Sequence, residues 1–106
     1  MYDTIATSQP GVTARFSDVP LRSWGVDLVL TGAGGIYERL VMPDGLTVIN
    51  NPCGSGELYD GAVTPGSYTR RIVQGQLGYV ALSVTALRLN VKFVTSTNTV
   101  LDVTNL

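Results

Sequence analysis

The chain has 106 residues, the length of one domain, and a formal net charge of −1. Lysine occurs only at Lys92, so no basic stripe can follow a phosphate backbone, and we expect no nucleic-acid partner. No apolar run approaches the ~20 residues of a membrane span, and the first residues lack the charged and apolar regions of a signal peptide, so we expect no membrane partner.

The start of the chain is polar and rich in small residues, and Pro10 and Gly11 interrupt any regular element there. We therefore expect two parts. Residues 1–14 form an extended N-terminal arm, and residues 15–106 form a single β-rich domain.

A short helix is predicted between Asp18 and Gly25. Asp18 can cap its N-terminus, Pro20 is tolerated in its first turn, and Gly25 can end it. The side chains expected to point inward from this segment as structural anchors are Phe16, Leu21 and Trp24.

The middle of the chain predicts a strand, a hairpin and a loop. Residues 26–30 are mostly apolar and indicate a buried strand. The sequence Pro-Asp-Gly at 43–45 has the chemistry of a tight turn, so residues 36–50 are predicted to form a β-hairpin. Residues 51–67 are rich in Gly, Pro and Asn and predict a long irregular loop. The two arginines at 70–71 are explained most simply as a solvated strand edge.

Residues 77–105 show the clearest pattern, because apolar and polar side chains alternate there with a period of two. Turns near 85–86 and 96–98 divide this region into an antiparallel three-stranded meander. The apolar side chains expected on its dry face are Val80, Leu82, Val84, Leu87, Leu89, Val91, Phe93, Leu101 and Val103. Together with the short helix, these elements predict an α+β fold that is rich in antiparallel strands.

The segment from Trp24 to Leu40 contains a strand of the form Asp-x-Val-Leu-Thr, then Gly-Ala-Gly-Gly at 32–35, then Tyr-Glu-Arg. It resembles the C-terminal metal loop of calcineurin-like metallophosphoesterases of the purple-acid-phosphatase type, where the glycine-rich part is Gly-His-x-His. Ala33 and Gly35 stand at the positions of the two metal-binding histidines, and the chain contains no histidine.

The resemblance covers about residues 15–104 and matches only the C-terminal part of such an enzyme domain. It implies a scaffold without the enzyme's chemistry, so we expect no catalytic residue, no bound metal and no cofactor. In the family, the residues matching Glu38 and Arg39 help to hold the active-site loop, and we expect a structural role for both here. As neighbours in a strand they face opposite sides, so they cannot pair with each other.

Dinucleotide binding and nucleophilic catalysis each require residues that this sequence does not supply. In a dinucleotide-binding fingerprint Tyr37 would have to be glycine, and a helix would have to follow. Cys53 has no histidine to activate it, which favours an inert thiol. Ser55, between two glycines, lacks both the histidine and the strand–turn–helix context of a nucleophile elbow.

Charged residues make up 14% of the chain, against about 25% in a typical soluble domain. This favours a surface partly covered by another subunit, although a monomer with a Ser/Thr/Asn surface stays open. We predict a non-catalytic structural or assembly protein, either a homo-oligomer or part of a larger complex such as a phage virion (capsid decoration or tail-associated).

The alternative is a ligand-binding module for a glycan or phosphate, built from loops 32–35 and 51–67. Its candidate binding residues are Gly32, Gly34, Asn51 and Ser55. Residual phosphoesterase activity is a third hypothesis, and it would require stoichiometric metal.

Overall fold

The computed structural model describes residues 20–32, 35–51, 58 and 61–106. Seven strands in these residues form two sheets, sheet A with the order β1-β3-β2-β4 and sheet B with the order β5-β6-β7. The strands are β1 (Leu28–Thr31), β2 (Tyr37–Val41), β3 (Thr47–Asn50), β4 (Thr69–Val73), β5 (Gly78–Val84), β6 (Leu89–Thr95) and β7 (Val100–Asn105).

The predicted hairpin over 36–50 is confirmed, because β2 and β3 pair antiparallel. Gly45 has a φ of 89°, and its N–H donates to the carbonyl of Met42 at 2.9 Å. The Asp44 carboxylate accepts the N–H of Leu46 at 3.1 Å. This turn needs a residue in the left-handed backbone conformation, which glycine adopts without strain.

The strand predicted over 26–30 corresponds to β1, which begins two residues later and pairs parallel with β3. Its predicted burial is wrong, because β1 is an edge strand whose residues are at most partly buried, with Leu30 51% exposed. Nothing in the sequence indicated this parallel pairing. It places the carboxyl ends of β1 and β3, at Thr31 and Asn50, on the same edge of sheet A.

The predicted meander over 77–105 is confirmed in sheet B, where β6 pairs antiparallel with β5 and with β7. The β5–β6 turn is longer than expected: the N–H of Thr85 donates to the carbonyl of Arg88 at 2.8 Å. Leu87 therefore lies in the turn and is 91% exposed, so its predicted place on the dry face is wrong. Asn98 supplies the left-handed residue of the other turn, with a φ of 63°.

The predicted α+β class is wrong, because the described residues contain strands and turns but no helix. Residues 20–25 form a turn in which the N–H of Trp24 donates to the carbonyl of Pro20 at 3.2 Å. Gly25, with a φ of 85°, ends it after that one turn. A single turn is below the length at which a helix becomes favourable. Asp18 and the predicted arm over 1–14 lie outside the described residues.

Two apolar clusters form the core, one on each face of sheet A. Between the sheets lie Tyr37, Ile49, Val73, Val91 and Phe93. On the other face lie Leu40, Met42, Leu46 and Val48, with Leu21, Val26 and Val29 packed against them. The inward position of Leu21 is thus confirmed, whereas Trp24 is 67% exposed, so the prediction that it points inward is wrong. Phe16 lies outside the described residues.

Candidate functional site

The first residues of the two loops proposed to bind a ligand lie at the edge formed by the carboxyl ends of β1 and β3. The N–H of Asn51 donates to the carbonyl of Thr31 at 2.8 Å. A Cβ on Gly32 would lie 3.7 Å from the carbonyl oxygen of Asn51. The structure thus brings Gly32 and Asn51 together, while Gly34 and Ser55 lie outside the described residues.

The two positions matching the family's histidines are described only in part. Gly35 lies in a turn with a φ of 73°, the left-handed region that favours glycine. It has no side chain with which to hold a metal. Ala33 lies outside the described residues.

Asn50 organises the backbone beneath these loops. Its side-chain oxygen accepts the Thr31 hydroxyl at 2.9 Å, and its side-chain nitrogen donates to the carbonyl of Ile36 at 3.1 Å. Asn50 is fully buried, so its bond to Ile36 is shielded from water, while the bond from Thr31 is partly buried. It therefore ties the end of β1 to the segment that leads into β2. The sequence marked Asn50 only as the end of a strand.

Glu38 and Arg39 face opposite sides of sheet A, as their adjacency in β2 predicts. Glu38 is fully buried, and its carboxylate accepts the hydroxyl of Thr69 on β4 at 2.7 Å. The Thr69 hydroxyl in turn accepts the N–H of Gly66 at 3.1 Å. Glu38 therefore connects β2 to the edge strand and to the loop before it.

Arg39 takes part in a polar cluster between the two sheets. Its Nε donates to Asp102 Oδ2 at 2.8 Å, and its second guanidinium nitrogen donates to Asp102 Oδ1 at 3.2 Å. The Tyr37 hydroxyl donates to the same Oδ2 at 2.6 Å. We call Tyr37, Arg39 and Asp102 the inter-sheet cluster, since the first two lie on β2 and the third on β7.

Burial and hydrogen bonding set the charges of this cluster. Burial disfavours ionised Asp102, but the bonds from Arg39 and Tyr37 and the charge of Arg71 outweigh it and lower the pKa of Asp102. Burial, followed by the bond to Asp102, raises the pKa of Tyr37. The bond to Asp102 raises the pKa of Arg39 against the opposing effect of burial. At neutral pH the cluster is an ion pair with a protonated tyrosine.

The inter-sheet cluster is therefore suited to holding the sheets in register. The Tyr37 ring also stacks on Phe93 of β6, with ring centroids 4.4 Å apart. The Asp102 side chain is only 7% exposed, and that of Arg39 is 18% exposed. One sequence feature points to this role, because Asp102 is the only charged residue of β7.

A second feature is apolar surface at one end of sheet B. Cross-strand pairing places Leu82, Val84 and Leu106 on the face that elsewhere carries Val91 and Phe93. Leu82 and Val84 were predicted on the dry face of the meander; they lie on that face, but it is not covered there. Their exposures, with that of Leu87 in the adjoining turn, are Leu82 47%, Val84 72%, Leu87 91% and Leu106 39%. We call these four residues the apolar end of sheet B.

Comparisons with known proteins give no match to this chain, neither among models of protein families nor among curated sequences. Across the residues that the structure describes, no three His, Cys, Asp or Glu side chains are grouped as a metal site. In that same part, none of the elements is a helix long and apolar enough to cross a bilayer.

Proposed function

We propose that the chain is a non-catalytic structural or assembly protein that acts in a homo-oligomer or a larger complex. The observation that carries this proposal is the apolar end of sheet B. Leu82, Val84 and Leu106 continue the face that packs on sheet A, and Leu87 adjoins them in the turn, yet the four side chains are 39–91% exposed. Removing apolar surface from water is worth about 25 cal/mol per Å², and contiguous apolar patches commonly mark protein interaction sites.

The low charge of the chain supports the same proposal. Of its 106 residues, 14% are charged, and the apolar end of sheet B contains no charged residue among its four members. Charge depletion at the centre of a patch is typical of protein interfaces. A partner can therefore cover these four side chains without burying a charge of their own, although the exposed Arg88 adjoins Leu87 in the turn.

We also propose that the scaffold derives from the C-terminal half of a metallophosphoesterase domain, as a pseudoenzyme. The resemblance rests on the order of a strand, a glycine-rich loop and a hairpin, and β1, β2 and β3 follow in that order. A virion component, such as a capsid decoration or tail-associated protein, is the setting we propose for a short, lysine-poor β chain of this kind.

Size-exclusion chromatography with light scattering at micromolar concentration tests the assembly proposal. We expect a mass that is a multiple of 11.3 kDa. Leu87→Asp should lower that mass, because it places a charge in the apolar end of sheet B. Asn98→Asp is the matched control, since it adds the same charge in the turn at the other end of the sheet. A wild-type monomer would contradict the proposal, and so would stoichiometric metal by elemental analysis.

The second candidate function is a module that binds a glycan or phosphate through loops 32–35 and 51–67. It is favoured by the meeting of Gly32 and Asn51 at the carboxyl ends of two parallel strands, the edge at which open α/β sheets bind ligands. A thermal-shift panel of inorganic phosphate and simple sugars tests it. A shift that Asn51→Ala removes, and that Asn105→Ala on β7 retains, would support binding. The absence of any shift would argue against it.

A further inference from the structure

The four edge strands of the two sheets differ in how they are protected against further pairing. On sheet A, β1 has only four residues, and β4 carries the exposed arginines Arg70 and Arg71. On sheet B, β7 carries the charged Asp102, and its pairing with β6 shifts register between Phe93 and Val94. Short length, charge and bulges are the usual means by which edge strands avoid pairing with other chains.

The remaining edge strand, β5, has none of these protections. It is seven residues long, Gly78–Val84, and contains neither a charged residue nor a proline. Within the described residues it pairs with β6 alone. Tyr79 and Leu82 are exposed by 52% and 47%, so side chains on both of its faces reach solvent. A long, uncharged, apolar edge of this kind favours strand addition.

The hydrogen bonds of β5 show which backbone groups are free to pair outward. Leu77 accepts a backbone bond from Ser96, and Thr85 donates one to Arg88. Antiparallel hydrogen bonding alternates along a strand, so the backbone N–H and C=O groups of the odd-numbered residues between Leu77 and Thr85 point toward β6. The N–H and C=O groups of Gly78, Val80, Leu82 and Val84 therefore point away from β6.

We propose that this edge pairs antiparallel with β5 of a second copy of the chain, about a two-fold axis at Ala81. The two three-stranded sheets then become one six-stranded sheet. This inference rests on the proposed assembly function and names its partner and its contact strand.

The sequence of β5 is self-complementary in this register. Val80 lies opposite Leu82 of the second copy, and Gly78 lies opposite Val84, so a valine that is 72% exposed meets a residue without a side chain. On the other face, Tyr79 lies opposite Ser83. No two charges meet, because β5 has none. The contact is the same patch on both copies, as a closed dimer requires.

Two lysine variants test whether the β5 edge is the contact. Leu82→Lys and Val103→Lys replace residues that are 47% and 46% exposed, one on each edge of sheet B. We expect Leu82→Lys to lower the molar mass to that of a monomer, because it charges an apolar pairing edge. Val103→Lys should leave the wild-type mass unchanged, and circular dichroism checks that both variants fold.

Two cysteine variants test the register, in a Cys53→Ser background. Ala81 would face Ala81 of the second copy in a non-hydrogen-bonded pair, where Cβ atoms lie about 4.5–5.5 Å apart. Ala81→Cys should therefore form a disulfide-linked dimer under mild oxidation. Ser83→Cys is the control: the two cysteines would lie four positions apart, about 13 Å along the strands. Although Ser83 is more exposed than Ala81, it should not cross-link.

The outcomes separate this inference from the proposed function. A wild-type oligomer whose mass Leu87→Asp lowers but Leu82→Lys does not change would overturn the β5 contact and leave the assembly function standing. Equal loss of mass in Val103→Lys, or cross-linking of Ala81→Cys no greater than that of Ser83→Cys, would also overturn it. A wild-type monomer would remove the assembly function itself.

Discussion

Replacing Asp102 by asparagine tests whether the inter-sheet cluster stabilises the fold. Asp102 receives hydrogen bonds of 2.6, 2.8 and 3.2 Å from Tyr37 and Arg39, and its side chain is only 7% exposed. Asparagine has nearly the same shape, but it carries no charge and has one oxygen acceptor instead of two. The variant therefore leaves the Arg39 guanidinium largely buried without its counter-charge.

The expected cost follows from that burial. Breaking a buried ion pair by removing one partner costs about 3–5 kcal/mol. The side-chain oxygen of asparagine can still accept a hydrogen bond, which places the expected cost at the lower end of this range. We expect Asp102→Asn to lower the free energy of unfolding by about 3 kcal/mol. Urea titration followed by circular dichroism measures it. Protein concentration must be held fixed, because association contributes to apparent stability.

Asp27→Asn is the matched control. Asp27 pairs with Arg22 at 2.6 Å, but the two side chains are 66% and 44% exposed. Exposed pairs of this kind contribute about 0–1 kcal/mol. If Asp102→Asn costs no more than Asp27→Asn, the inter-sheet cluster does not hold the sheets together and the reasoning fails.

Three further predictions concern acid, alkali and packing. Since the pKa of Asp102 is lowered in the folded state, its contribution is complete above the usual aspartate pKa of about 3.9 and is lost as pH falls through the folded value. Urea titrations of the wild type and Asp102→Asn should therefore converge in acid, and an undiminished difference at about pH 2 would contradict this. The pKa of Tyr37 is raised, so its stabilisation is complete below about pH 10 and declines above it. Tyr37→Phe should flatten the alkaline loss of stability, measured by thermal unfolding across that range. Gly78→Ala should cost about 1–3 kcal/mol, because the new Cβ would overlap the Val94 carbonyl oxygen and approach the Phe93 ring to 2.9 Å. Gly66→Ala, whose nearest neighbour would lie at 3.7 Å, should be close to neutral in the same urea titration.

Local chemistry made the hairpin and the meander predictable. The Pro-Asp-Gly turn at 43–45 closes within a few residues, and glycine readily adopts a positive φ such as the 89° of Gly45. Alternation likewise assigns the faces of β5 and β6. In β7 a register shift opposite Phe93 and Val94 intervenes, and Val103 lies opposite Lys92 and is 46% exposed, so its predicted place on the dry face is wrong. The sequence could not show where that face stops being covered, which is why Leu82 and Val84 were expected in the core.

Contacts between residues far apart in the chain could not be predicted from the sequence. The parallel contact of β1 with β3 depends on how sheet A assembles, and neither strand carries a local signal for it. The partner of Arg39 lies 63 positions away, so its side chain could be assigned a face but not a contact. The single turn ending at Gly25 had the capping signals of a helix but too few residues to become one.

The distance in sequence between the members of the inter-sheet cluster has a consequence for folding. Tyr37 and Asp102 are 65 positions apart, so the loop between them must close before their contact contributes any stability. The hairpin of β2 and β3 involves only near neighbours and needs no such closure. We therefore expect the hairpin to form early and the Tyr37 hydroxyl to remain hydrated until β7 docks. Contacts this distant slow folding, so the arrival of Asp102 should set the rate at which the two sheets join.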